Sequence, residues 1–305
     1  MPAPTIAVVI PVFNRESLIG DALRCVSRQT LVPASLVVID DGSTDGSAEV
    51  VERFFRDGSP PFRTALIRQA NAGVGAARRR AVDESPRCEL LAMLDSDDMW
   101  PDDYLQRMAG VLGENPRAVG ASCDRVLQDV VSGERTPRSS KHLIGRATSG
   151  IFLEGTSPSS ATVIRWDAYE RAGGYDPAMK FKDDVDLYLR VSLRGDWLYV
   201  PGLAVTLRRN TASSHGAEHL TRKSIPNRRE MVELLERFAA RHASEGGIPE
   251  RAWKRHLARL WFRLGRDYSA SGDRIEGQES FARSTRLNPW QVRAWWRRVL
   301  SALTG

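Results

Sequence analysis

The first third of the chain alternates short apolar runs with segments of helical periodicity, and this alternation limits the folds open to it. Four runs are mainly apolar and rich in branched residues, which is typical of strands buried on both faces. They are residues 5–13, 35–40, 64–69 and 90–95. The intervening segments, such as 16–30 and 73–84, place apolar residues at helical spacing. Strands that alternate with helices predict a mainly parallel sheet covered on both faces, and hence an α/β domain.

The composition is that of a globular protein. With 305 residues, 42% hydrophobic and 27% charged, the chain can form one large domain with an appendage. No run approaches the roughly 20 apolar residues that span a bilayer, and the first residues lack the basic leader of a secretory signal. We therefore predict a cytoplasmic protein. Cys25, Cys88 and Cys123 stand far apart and outside any CxxC spacing, so we expect buried, reduced thiols.

The second half of the chain changes character twice. Residues 121–127, 160–166 and 197–209 are predicted strands, 133–150 a polar loop and 183–193 a helix. From Ile225 onward only helical patterns rich in Arg, Glu and Leu remain. These changes predict two domains, residues 1–220 and residues 221–305.

The C-terminal region contains one short repeat-like pattern. Its markers are Trp261, Leu264, Gly265, Tyr268, Gly277, Phe281 and Pro289. Their spacing resembles a single tetratricopeptide repeat over about 258–290. One repeat cannot bury its own apolar face, so we expect it to pack against a helix at 226–242 or at 290–303.

Polar residues follow each predicted strand of the first domain. They are Asn14 and Arg15, Asp40 and Asp41, Asn71, and Asp95 to Asp98. In open sheets of this kind, ligands bind outside the carboxyl ends of the strands. The sequence therefore predicts that these side chains meet at one edge of the sheet.

The run LLAMLDSDDMWPDDYL (90–105) gathers carboxylates in a chain whose net charge is +6. Asp95 and Asp97 are two residues apart after a strand, so their side chains can share one hard cation such as Mg²⁺ or Mn²⁺. Such a cation keeps open positions for substrate phosphates. Helix capping is the alternative reading, and we accept it for Asp102 and Asp103.

Asp40 and Asp41 precede Gly42 after the second strand. A carboxylate there can accept hydrogen bonds from a nucleobase or a ribose, although a simple Asp-Gly turn is the alternative.

Five ordered segments together resemble the family-2 glycosyltransferases of the GT-A fold. They are VVIPVFNRESLIGDALRCVSRQT, VVIDDGSTDGS, NAGVGAARRRAV, LLAMLDSDDMWPDDYL and GGYDPAMKFKDDVDLYLRVSLRG, and they extend from about residue 5 to 215. The resemblance implies a Rossmann-like mixed sheet covered by helices, followed here by the all-α region. It implies a hexosyltransferase-type enzyme that moves a sugar from a nucleotide sugar to a hydroxyl acceptor with inversion, assisted by Mn²⁺ or Mg²⁺.

The resemblance also assigns roles to individual residues. Pro11 and Phe13 would border the nucleobase pocket, Asp41 would bind base or ribose with Asp40 beside it, and Arg78 would face the nucleotide. Asp95 would contact the ribose and Asp97 the metal, with Asp98 able to share the metal. Asp184 occupies the position of the catalytic base in Asp-Asp-Val-Asp (183–186), where Asp183 replaces the usual Glu. His215 is a further candidate for a metal or phosphate contact.

Substrates and partners follow from the same resemblance. We expect a UDP-sugar donor and a saccharide or lipid-linked acceptor in cell-surface polysaccharide or glycolipid synthesis. The basic C-terminal helices predict a peripheral contact with an anionic membrane at its inner face, or with a protein partner; Trp290, Trp295 and Trp296 either anchor such a contact or cap the repeat. We expect no nucleic-acid binding, because no motif for it accompanies the charge.

Two other functions compete with this one. A dinucleotide-binding dehydrogenase is disfavoured because Arg78 stands where the third glycine of that fingerprint belongs. A non-catalytic interaction module acting through the helical tail stays open.

Overall fold

The computed structural model describes residues 4–209, 224–291 and 295–296. The chain divides into two compact units, Met1–His219 and Leu220–Gly305. No helix in these described stretches is long and apolar enough to cross a membrane.

The first unit contains nine strands and seven helices within its described residues. The strands are β1 Ile6–Val12, β2 Ser35–Asp40, β3 Arg63–Arg68, β4 Leu90–Met93, β5 Asp98–Met99, β6 Ala118–Asp129, β7 Arg135–Arg138, β8 Thr162–Arg165 and β9 Asp196–Arg209. The helices are α1 Glu16–Ser27, α2 Ser47–Gly58, α3 Val74–Asp83, α4 Tyr104–Glu114, α5 Thr148–Glu154, α6 Trp166–Arg171 and α7 Asp183–Ser192. A short 3₁₀ turn, Ser159–Ala161, precedes β8.

One mixed sheet forms the centre of this unit. The strand order is β3-β2-β1-β4-β8-β6-β9-β5, with β7 added to β6. The first four strands are parallel, as predicted from their alternation with helices. β8 then runs antiparallel to both β4 and β6, and β5 antiparallel to β9. The α/β fold class is confirmed, with a parallel half that continues into a mixed half.

Burial explains why these segments became strands and helices. All seven residues of β1 are buried, which requires cover on both faces. α1 supplies part of that cover through Ile19, Leu23 and Val26, all fully buried. Each such side chain contributes about 1.5–3 kcal/mol relative to its exposed state. The three cysteines are buried and free, as predicted.

The predicted polar loop at 133–150 is wrong in two places. β7 lies inside it and pairs antiparallel with β6, so that Leu127 is opposite Thr136, and α5 begins at Thr148. Main-chain hydrogen bonding to β6 stabilises β7, and its polar side chains gave no sign of that pairing.

The second unit has three helices in its described residues: α8 Ile225–His242, α9 Glu250–Ala270 and α10 Arg274–Leu287. Val232 of α8 packs with Trp261, Leu264 and Tyr268 of α9. α10 approaches α9 closely, because a Cβ on Gly265 would lie 2.8 Å from the ring of Phe281. Of the two flanking helices expected to cover this pair, the preceding one contacts α9, whereas most of residues 290–303 lie outside the described residues. The tetratricopeptide assignment stays a prediction.

Candidate active site

The carboxyl ends of β1, β2 and β4 lie side by side. Val12 is opposite Asp40 in the parallel register, and the amide of Asp41 donates to Val12 O at 2.9 Å. The amide of Leu94 in turn donates to Val9 O at 3.1 Å. Three of the loops that the sequence marked as polar therefore begin at neighbouring points of one edge.

The loops after β1 and β2 hold each other through side chains. Asn14 has a left-handed backbone with φ of 50°, and its Oδ1 accepts from the Thr44 amide at 2.8 Å. Asp40 is buried, and its Oδ1 accepts from the Ser43 amide at 3.0 Å. Asp40 therefore shapes the loop that carries Asp41.

Asp41 joins the loop after β2 to the start of α3. One carboxylate oxygen accepts from Gln69 Nε2 at 2.7 Å and from the Ala72 amide at 2.9 Å, and the other from the Gly73 amide at 2.9 Å. Gly42 is required beside it, because its φ is +79° and a Cβ would lie 2.9 Å from the Asn71 nitrogen. Three of the roughly four acceptor positions of the Asp41 carboxylate are occupied by the protein.

The two residues expected at a nucleobase pocket differ in access. Pro11 is buried within β1, and Phe13, just beyond the strand, keeps 42% of its surface exposed. The Phe13 ring is thus available to a flat ligand.

Residues 95–98, which follow β4 and carry Asp95, Asp97 and Asp98, form an acidic turn that Ser160 fixes. Its hydroxyl accepts from the Asp95 amide at 3.0 Å and donates to Asp98 Oδ2 at 2.6 Å. Its carbonyl accepts from Trp100 Nε1 at 2.6 Å. Asp98 is buried, and burial, followed by the charges of Asp97 and Asp95, raises the pKa of Asp98 well above its usual value. Asp98, expected as a metal ligand, has Ser160 as a protein partner.

Two arginines surround Asp97. Arg15 Nε lies 3.4 Å from Asp97 Oδ2, and the Asp97 side chain is 19% exposed. Arg208, on β9, donates from Nε to Asp97 O at 2.6 Å and from Nη1 to Asp21 Oδ2 at 2.5 Å. Arg208 therefore ties the acidic turn to α1.

Arg78 connects the acidic turn to the start of α7. Its Nη2 donates to Asp95 Oδ1 at 2.5 Å and its Nη1 to Asp183 Oδ2 at 2.7 Å. Arg78 and Asp183 are both buried, whereas the Asp95 side chain is 31% exposed. Arg78 thus bridges two carboxylates 88 residues apart in the chain, and its expected contact with a nucleotide stays a prediction.

Asp184 follows directly after this bridge. It is partly exposed at the first turn of α7, and its Oδ1 accepts from the Val185 amide at 2.8 Å. Burial and the charge of Asp183 raise the pKa of Asp184 to about 6, against the opposing effect of Arg78 and Lys182. A carboxylate with a pKa just below neutrality is mostly ionised at pH 7 and is suited to accept a proton.

Asp186 has a structural role instead. Its Oδ2 accepts from Arg190 Nε at 3.0 Å, and Arg190 Nη2 donates onward to Gly174 O at 2.9 Å. The side chain therefore orients an arginine that holds the preceding loop.

The fit of a divalent cation depends on the acidic turn. Among the described residues, no group of three or more His, Cys, Asp and Glu is arranged to hold a metal ion, and His215 lies outside them. The charges of Asp95 and Asp97 nevertheless raise the pKa of Asp98, so like charges are concentrated there. Oxygen donors of this type suit a hard cation that a diphosphate completes. Asp97 fits such a role better than Asp98, whose carboxylate faces Ser160.

Sequence reasoning missed Ser160. It placed Arg15 at this edge of the sheet and noted Arg208, but it linked neither of them to Asp97. Ser160 stood inside a predicted strand, and Arg208 stood at the end of one. Each contacts the acidic turn from a distant segment, and no spacing rule reveals such a contact.

The sequence that forms this site matches a known protein family. A sequence model of Glycosyl transferase family 2 matches residues 7–166, which is slightly more than half of the chain. Succinoglycan biosynthesis protein ExoA of Rhizobium meliloti is 27% identical over 206 residues, 62% of this chain and 58% of ExoA. In five curated relatives the matched region covers 14 to 58% of the relative's own length.

Two solved structures are similar over nearly the whole chain. A mannosyltransferase, PcManGT of Pyrobaculum calidifontis in complex with GDP-Man and Mn²⁺, has a TM-score of 0.64 at 17% identity, over 99% of this chain and 85% of its own. S. aureus TarS 1–349 in complex with UDP-GlcNAc has a TM-score of 0.60 at 16% identity, over 92% of this chain and 91% of its own. At these identities the similarity shows the fold alone, and it confirms the predicted GT-A fold.

Proposed function

Because the chain belongs to glycosyl transferase family 2, we propose that it transfers a sugar from a nucleotide sugar to a hydroxyl acceptor with inversion at the anomeric carbon. The observation that carries this proposal is the Arg78 bridge. It ties Asp95 of the acidic turn to Asp183, the neighbour of Asp184, through bonds of 2.5 and 2.7 Å. A donor-binding turn and a proton acceptor are thereby linked within one buried network.

Asp184 acts as the general base in this proposal. Inversion requires the acceptor oxygen to attack from the face opposite the departing diphosphate, while its proton passes to a carboxylate within hydrogen-bond reach. The pKa of Asp184, about 6, keeps the carboxylate mostly unprotonated at neutral pH and still basic enough to accept that proton. Partial exposure leaves it accessible to an acceptor.

The nucleotide would lie across the ends of β1 and β2. Phe13, just beyond the end of β1, offers an exposed aromatic face for the base, and Pro11 within the strand would border the same pocket. Asp41 retains acceptor capacity for a base or ribose donor beyond its three protein bonds, and Asp40 fixes its loop. Asp95 would contact the ribose, because at 31% it is the most exposed carboxylate of the acidic turn. Arg78 positions Asp95 and Asp183 in this arrangement.

A divalent cation, Mn²⁺ or Mg²⁺, would be held by Asp97 together with the donor diphosphate. Bound there, it would neutralise charge on the leaving diphosphate. The complex of PcManGT with GDP-Man and Mn²⁺ supports a cation of this class.

The donor nucleotide is proposed to be UDP, as in the TarS complex with UDP-GlcNAc, with GDP as the competing choice suggested by PcManGT. The acceptor is proposed to be a saccharide or lipid-linked precursor in polysaccharide or glycolipid synthesis, in line with the succinoglycan role in the name of ExoA. We place the reaction in the cytoplasm.

A donor panel tests the proposal. The full chain is incubated with UDP- and GDP-linked sugars, with Mn²⁺ or with EDTA, and release of nucleoside diphosphate is measured. We expect turnover of one donor class that EDTA abolishes. If no donor is bound or turned over under any condition, the transferase proposal fails and the interaction-module alternative gains support.

A further inference from the structure

An arginine row runs along one face of α9. It consists of Arg251, Arg255, Arg259, Arg263 and Arg266, all exposed. At 100° per residue these positions fall within an arc of about 120°, and at 1.5 Å per residue they extend over about 22 Å. The row is therefore a narrow stripe of positive charge along most of the helix.

None of these five arginines forms an ion pair or hydrogen bond within the part of the chain that the structure describes. The two carboxylates of α9 are engaged elsewhere, because Glu250 pairs with Lys254 and Asp267 with Arg228 of α8. The row thus lacks the compensating acids that solvated helices commonly place four residues away.

The opposite side of α9 is committed to packing. Leu257, Ala258, Trp261, Leu264 and Tyr268 are buried there. The positive charge of the row also affects a neighbouring side chain. Burial, together with the charges of Arg259 and Arg263, lowers the pKa of His256 to about 4. The helix is therefore anchored with its charged side turned outward.

Exposed tryptophans lie in the same unit. Trp290, Trp295 and Trp296 are 88%, 48% and 63% exposed. Tryptophan is the side chain most typical of the boundary between headgroups and acyl chains. Unpaired arginines and exposed tryptophans are each typical of proteins that contact lipid headgroups.

We propose that the arginine row of α9 docks the protein on an anionic phospholipid surface. A planar array of phosphates can meet all five guanidinium groups at once, each in the bidentate geometry that arginine favours. The proposal is independent of the catalytic one, since none of these residues belongs to the nucleotide-sugar site.

Vesicle sedimentation of the full chain tests this surface. The probes are phosphatidylcholine vesicles with and without about 30% phosphatidylglycerol. An anionic surface attracts each nearby arginine by about 1 kcal/mol. We expect binding to the anionic vesicles only, and loss of that binding when salt shortens the screening length.

The decisive variant is Arg255→Gln/Arg259→Gln/Arg263→Gln. Three arginines at about 1 kcal/mol each correspond to a fall of about 100-fold in partitioning. The matched control is Arg237→Gln/Arg241→Gln/Arg286→Gln, which removes the same charge from exposed, unpaired arginines of α8 and α10. We expect partitioning of the control variant onto anionic vesicles to fall by less than about fivefold, since charges outside the row are screened from the lipid surface.

Three results would overturn the proposal: equal loss in both triple variants, equal binding to neutral and anionic vesicles, or equally tight binding of soluble polyphosphate at the same phosphate concentration. Thermal unfolding followed by circular dichroism verifies that each variant is folded. Donor turnover, measured in parallel without vesicles, should be unchanged in both triple variants, so failure of the docking surface and failure of the transferase proposal are separable.

Discussion

Replacing Arg78 by Met should destabilise the first unit strongly. Asp183 is only 1% exposed and has Arg78 Nη1 at 2.7 Å. Removal of the guanidinium would leave this carboxylate buried without its counterion, a change that costs about 3–5 kcal/mol. In a unit of about 200 residues, 1 kcal/mol corresponds to about 2–4 °C in Tm. We therefore expect Arg78→Met to unfold about 6–20 °C below the parent chain.

A double-mutant cycle separates the buried pair from other effects of the substitution. In Arg78→Met/Asp183→Asn both charges are absent. The loss in free energy of unfolding should therefore be smaller than the sum of the two single losses, by about 1–3 kcal/mol. The matched control is Arg79→Met, the adjacent arginine, which is 40% exposed and pairs with Asp83 on the same helix. An exposed pair of this kind contributes about 0.3–0.5 kcal/mol.

The assay is urea unfolding followed by circular dichroism, with thermal scans alongside. Additive losses in the double variant would mean that Arg78 and Asp183 are not coupled. If Arg78→Met lost no more stability than Arg79→Met, the buried bridge between the acidic turn and α7 would not stabilise the fold.

Three further predictions concern the same site. Ser160→Ala should lower the free energy of unfolding by about 1–3 kcal/mol in urea titration, because Asp98 would be left buried without its hydroxyl donor; an unchanged midpoint would contradict this. kcat/KM should fall as the pH drops below about 6, since the Asp184 carboxylate, with its pKa raised to about 6, must be unprotonated to act as a base; a pH profile flat down to pH 4 would exclude that role. Gly42→Ala should lower the free energy of unfolding by more than about 1 kcal/mol, because the φ of Gly42 is +79° and the Asn71 nitrogen is close. Gly58→Ala, with open space around its Cβ position, should change it by less than about 0.5 kcal/mol. Similar losses in the two variants would exclude backbone strain at Gly42.

The parallel half of the sheet was predictable because its signal is local. Each run that became β1, β2 or β4 is apolar on both faces, and only cover on both sides accommodates such a strand. The meeting of the polar residues at one edge of the sheet was predictable for the same reason, since parallel strands end on one edge. The helix bearing Asp184 was predictable from its acidic first turn and apolar spacing.

The contacts that shape the site were not predictable, because they join segments far apart in the chain. Ser160 contacts Asp95 and Asp98 across more than 60 residues, and Arg208 reaches Asp97 across 111. β7 formed in a segment without apolar alternation, since its stability comes from hydrogen bonding to β6. The partners of Arg78 were also not predictable, because Asp95 and Asp183 lie on different elements. The motif around Arg78 indicated only a nucleotide contact.

In the proposed reaction, Asp184 accepts the proton of the acceptor hydroxyl beside a bound nucleotide sugar. The direct measurement compares Asp184→Asn with Asp186→Asn, a neighbouring carboxylate whose partner is Arg190, using the donor and acceptor identified by the panel. For Asp184→Asn we predict a fall in kcat of about 10²–10⁴-fold with nucleotide affinity unchanged, and for Asp186→Asn a kcat within about tenfold of the parent. Transfer at the parent rate by Asp184→Asn, with the same nucleotide affinity, would show that Asp184 is not the base.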